Sequence, residues 1–136
     1  MPGPVRLPEV LSRREFFAPR LGGHDRLSHL VRRVAAKDRT AFAELHRALS
    51  PPLVAFARSR GLAPADAAAV LRATFTEVWW MARFHTSPAD DILDWTMDIV
   101  LRRVADRDDD GGASTTAHDQ HTASVLAGLL RPAPQP

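Results

Sequence analysis

The chain has 136 residues, 45% of them hydrophobic, which is enough for one modest core and a single domain. It contains no cysteine, excluding disulfides, thiolate metal sites and thiol catalysis, and pointing to a reducing compartment. Net charge is +2, but residues 1–60 hold twelve Lys and Arg against five acids while residues 61–136 hold six against eleven; the basic first half suits a nucleic acid or an acidic protein surface, unless arginine is merely the preferred surface cation here.

The start, "MPGPVRLPEVLSRREFF", has no apolar run of signal-peptide length, and no later segment approaches a membrane span. A cytoplasmic protein without a membrane contact is expected. Most of the eleven prolines sit near the two ends. Residues 1–24 read as a disordered N-terminal tail, 25–107 as the folded domain, and 108–136 as a disordered acidic and Pro-rich tail.

In the folded part, Leu27, Leu30, Val31 and Val34 follow the i, i+3, i+4, i+7 spacing of a short first helix, with Asp25 or Ser28 as cap. Asp38 caps a second helix with apolar positions Phe42, Leu45, Leu49, Leu53 and Phe56, ended by Gly61. Pro51 and Pro52 predict a kink or brief break inside it, since a proline costs a helix interior on the order of 3 kcal/mol. The third helix opens on Pro64, runs to about Arg83, and carries Leu71, Phe75, Val78 and Ala82 on one stripe. The fourth starts with Ser87 as cap, Pro88 in the first turn and Asp90 completing an approximate capping box, and runs to about Arg107. Its apolar residues lie on two sides, Leu93, Met97, Val100 and Val104 against Ile92, Trp95 and Ile99, so it is sandwiched. The late run "ASVLAGLL" is too short to be stable alone and forms a helix only on contact. With no strand pattern, repeat or glycine-rich phosphate loop, the expected fold is all-α, a compact three- to four-helix bundle.

Nothing in this layout carries catalysis. His118 and His121 sit three apart, with only Asp119 near as a further ligand, and read as a chance pair. Asp90, Asp91, Asp94 and Asp98 cluster where acidic side chains favour the positive end of a helix dipole, a structural role that suffices. No metal, cofactor or enzymatic activity is expected.

From Leu27 to Arg107 the order of these signals resembles the helical second domain of bacterial RNA polymerase sigma factors, in their small extracytoplasmic-function group. "LVRRVAAKDRTAFAELHRALSPPLVAFARSRG" is similar to that family's opening helix pair, including the proline within the second. "PADAAAVLRATFTEVWW" is similar to its polymerase-clamp-binding helix, with Val78 and Trp79 as the terminal Val-Trp pair. "DWTMDIVLRRVADR" resembles the promoter-reading helix through Trp95, Ile99 and Asp106. The resemblance implies a third helix docked on the clamp of the polymerase core. It also implies a loop, "FHTSPADD", whose His85, Thr86 and Ser87 face bases of the melted minus-ten promoter element, with Arg102 and Arg103 on phosphates.

The chain departs from that pattern at telling places. Arg72 and Ala73 stand where the family has Gln followed by Glu or Asp, and Leu101 and Arg102 replace its Arg-Asn. The loop and fourth helix are acidic, which repels phosphate. The segment after Arg107 reads as too short and polar for the family's second, helix-turn-helix domain. The implied clamp face runs from Asp66 through Arg72, Ala73, Thr76 and Glu77, and Trp80 extends it by one turn. An indole among small residues fits a partner anchor; the alternative is that the N-terminal segment or "ASVLAGLL" folds back over it. Two functions follow as expectations. One is a sigma-like protein on polymerase core and minus-ten DNA without the second reading head. The other is a degenerate helical interaction module that titrates an anti-sigma factor or supports another regulator, without DNA melting.

Overall fold

The computed structural model describes residues 24–110 and 115–131, and these are helical throughout apart from short connections. The helices are α1 (His24–Ala35), α2 (Arg39–Ser59), α3 (Pro64–Met81), a 3-10 turn Ala82–Phe84, α4 (Ile92–Asp110) and α5 (Thr115–Leu130). The expected N-terminal tail lies outside the described residues, except that His24 begins α1.

α1 to α4 wrap one core. Leu27, Leu30, Val31 and Val34 of α1, Phe42, Leu45, Leu49 and Leu53 of α2, Leu71, Phe75 and Val78 of α3, and Ile92, Leu93, Met97, Ile99 and Val100 of α4 are all buried in it. α4 packs on α1, α2 and α3, as its two apolar sides require. Thr74 and Thr96 are buried with their hydroxyls satisfied, because these donate back to their own helices, Thr74 to the Val70 carbonyl at 2.8 Å and Thr96 to those of Ile92 and Leu93.

The connection from α1 to α2 is a Schellman turn. Lys37 N–H donates to the Val34 carbonyl and Asp38 N–H to that of Arg33, satisfying carbonyls the helix end would leave open. The residue that turns the chain is Lys37, at φ 68°, where glycine is usual and an L side chain costs roughly 1–2 kcal/mol. Asp38 then caps α2, accepting from Ala41 N–H at 3.1 Å while Arg33 Nε donates to its other oxygen at 2.9 Å. The Ala41 N–H and then Arg33 hold the Asp38 carboxyl below its usual range, burial opposing them. At the far end Gly61, at φ 91°, closes α2 by donating to the Arg58 carbonyl.

Four sequence expectations need correction. Neither Asp25 nor Ser28 is the cap: α1 begins at His24, which leaves Asp25 within its first turn and Ser28 buried inside it. α2 is unbroken through Pro51 and Pro52, because Leu49 and Leu53 are buried on either side and hold both flanking turns to the core. α4 does not start at Ser87. Residues 87–90 form a turn in which Asp90 N–H donates to the Ser87 carbonyl and Ser87 N–H to the Asp90 carboxylate; the cap is Asp91, whose Oδ1 accepts from Asp94 N–H at 3.0 Å. Finally, the expected C-terminal tail contains α5, a sixteen-residue helix packed on α3 and α2, with Thr122 and Leu126 buried against them. Contact with α3 supplies the stability that the run lacks alone.

Candidate partner-docking surface

Trp79 and Trp80 are consecutive on α3, so the helix sends them to different surroundings. Trp79 is 6% exposed and meets the edge of Phe42, ring centroids 5.2 Å apart. Trp80 is 57% exposed. Met81 and Phe84, one and four residues on, are also exposed large apolar side chains. Lys37 Nζ lies 5.0 Å from both indole centroids, and the Arg83 guanidinium 4.7 Å from the Phe84 ring. The strained turn at Lys37 thus delivers a cation to the indole pair, an attraction of about 0.5–1 kcal/mol at an exposed ring.

One turn back, Glu77 receives Arg102 Nη2 on Oε2, and Arg103 Nη2 on Oε1 at 2.8 Å. Its side chain is 15% exposed. Burial pushes the Glu77 carboxyl up, but hydrogen bonds and charge from the two arginines outweigh it and hold the group below its ordinary 4.5. The same hydrogen bond raises Arg102 above its ordinary value. At the start of α3, Asp66 Oδ1 accepts from Arg107 Nη2 at 2.7 Å and Nε at 3.0 Å, while Arg107 also donates to both Asp119 oxygens, at 3.1 and 3.0 Å. One guanidinium from α4 therefore clasps α3 and α5 together. Hydrogen bonding to Asp119 and then Asp66, against some desolvation, raises the Arg107 pKa.

Between these ion pairs α5 lies alongside the expected docking face. Ala73, Thr76, Glu77 and Trp80 form one wall of a cavity of about 490 Å³, and His118, His121, Thr122 and Val125 of α5 form another. Thr76 spends its hydroxyl on the Arg72 carbonyl, and Arg72 Nε is buried with no hydrogen-bond partner. Of the six residues expected on the partner face, Trp80 is the most exposed, although it also lines the cavity with Ala73, Thr76 and Glu77, and Asp66 is engaged by Arg107. α5 folds back as the alternative had it, yet leaves the indole exposed.

The five residues expected on DNA are not brought together. His85 stacks on Trp95, centroids 3.9 Å apart and planes at 15°; Thr86 is half-buried, and Ser87 sits in the turn before α4. Arg102 lies ten residues beyond the start of α4, on the order of 15 Å along it, and both arginines are committed to Glu77. Sequence reasoning missed Lys37, Arg107 and Asp119. The i, i+4, i+7 spacing of Thr122, Leu126 and Leu129 was the available signal for the helix that carries Asp119.

Among the described residues no group of His, Asp and Glu is arranged to hold a metal ion, and no helix is long and apolar enough to cross a membrane. No family model, curated protein or solved structure matches the chain.

Proposed function

We propose that this chain is a non-enzymatic, sigma-like transcription protein that docks on RNA polymerase core through the C-terminal end of α3. The observation that carries the reading is Trp80, more than half exposed at the place where the resemblance puts the clamp contact. The helix order and the burial of the matched apolar positions are compatible with that layout. Trp80, with Met81 and Phe84 close in sequence and Lys37 beside it, has the make-up of a binding anchor, whose truncation costs on the order of 2 kcal/mol or more. The absence of cysteine supports a cytoplasmic setting. Affinity capture from the protein's own cells tests the reading: core subunits should come down with the chain and be lost with Trp80→Ala.

A second reading, an interaction module that binds protein without melting DNA, is favoured by one specific observation. Glu77 engages both Arg102 and Arg103, the expected phosphate contacts, and offsets one of their two charges, and Asp90, Asp91, Asp94 and Asp98 lie on the loop and first turns before them in sequence. Under this reading an anti-sigma factor or another regulator takes the place of promoter DNA. Titration with single-stranded minus-ten oligonucleotide separates the two. Promoter binding weakens steeply with salt, in proportion to the phosphates neutralised, whereas the module shows no such binding.

A further inference from the structure

α5 occupies the α3 face just described, packing on α3 and α2, but the side chains that hold it are few. Of those described, Thr122 and Leu126 are buried, the latter 5% exposed, Leu129 and Leu130 are half-buried against the core, and an open cavity of about 490 Å³ remains between α5 and α3. A sixteen-residue helix is marginal without tertiary support, and Gly128 weakens this one further, with no close approach to justify it: a Cβ there would meet nothing within 4 Å. The polar clasp is also made for release. Arg107 is shared between Asp66 and Asp119, so when α5 lifts, Arg107 keeps Asp66 and no charge is stranded.

We infer that α5 is a displaceable internal occupant of the docking face, which lifts off α3 when the partner binds and competes with that partner when it is down. The inference rests on the docking reading above. It makes the chain self-limiting: the Ala73, Thr76 and Glu77 wall opens fully only when α5 leaves, while exposed Trp80 offers a first contact before that.

Two substitutions outside the docking face push α5 in opposite directions. Asp119→Lys sets a cation against Arg107 and should raise α5 opening at least about fivefold, the order of one lost charge-assisted pair. Gly128→Ala strengthens the helix and should lower opening about fivefold. Hydrogen exchange on the full chain reads opening directly, with α2 amides as the internal reference that the bundle is folded. α5 amides should exchange at least about tenfold faster than those of α2, faster again in Asp119→Lys and slower in Gly128→Ala, and capture of purified polymerase core should rise and fall with them. Equal protection of α5 and α2 in all three proteins overturns the inference, as does capture that stays constant while opening changes. Absence of capture by all three, with α5 opening as described, instead removes the docking reading and the competition built on it.

Discussion

Lys37 Nζ sits 5.0 Å from the centroid of the exposed Trp80 ring, held there by a left-handed backbone turn that lysine seldom adopts. A non-glycine residue in that conformation is a local cost that surrounding contacts must offset. Here the offset is visible, because the same ammonium also covers Trp79. Lys37→Gly relieves the backbone and deletes the cation, so its net effect on stability is predicted to stay within about 1 kcal/mol. Its tryptophan emission should shift nonetheless, which fluorescence during chemical denaturation will report together with stability. A loss of several kcal/mol would mean the cation does far more than assigned.

The adjacent tryptophans make a sharp internal comparison. Trp79→Ala empties a core site against Phe42 and should cost about 3–5 kcal/mol. Trp80→Ala removes a mostly exposed ring and should cost under about 1 kcal/mol. Urea midpoints of the two variants check this, and similar losses in both would place Trp80 in the core rather than on a surface.

Acid destabilises the fold in two windows of the same sign. His46, half-buried with its ring centroid 4.5 Å from that of Phe75, is held below its ordinary 6.5 by desolvation and then by Arg47. Below pH 6.5 the unfolded chain therefore takes up its proton more readily than the folded one, and stability falls as pH drops from 6.5 through the depressed value. Glu77, also depressed, contributes its stability above 4.5 and loses it as pH falls from there through its folded pKa. Thermal melts from pH 7 to 3 should show both losses, with His46→Leu flattening the upper and Glu77→Gln the lower. A melting temperature unchanged between pH 7 and 5 contradicts the His46 assignment.

Relocating the α4 cap also has a measurable consequence. Asp91→Ala should lose about 1 kcal/mol, the usual worth of a side-chain N-cap. Ser87→Ala, in the preceding turn, should lose less than about half of that. If the serine variant were the more damaged, α4 would begin where the sequence alone suggested.

What was legible in the sequence is what local spacing encodes. The apolar stripes of α1 to α4, the Asp38 cap and the Gly61 stop appear where the residue order places them, because each depends on neighbours within two turns. Ser87-Pro88 misled for a related reason: serine, proline and an acid at capping-box spacing also make a turn, and Asp91 follows closely enough to take the cap. α5 was legible only in part: "ASVLAGLL" reads as helical on contact, but the helix starts earlier, at Thr115, its buried stripe is thin and its stability comes from contact with α3. The pairings of Glu77 with Arg102 and Arg103, twenty-five and twenty-six residues apart, depend on how α3 and α4 cross. Trp80, by contrast, was legible as an outward indole, since its position on the helix opposes the core stripe.

The docking claim meets its most direct test in a titration of purified RNA polymerase core against the immobilised full chain, wild type beside Trp80→Ala, with circular dichroism confirming both are folded. Saturable binding that weakens about thirtyfold in the variant, the equivalent of roughly 2 kcal/mol, is the predicted result. No binding by the folded wild-type chain, or equal binding by both proteins, contradicts it.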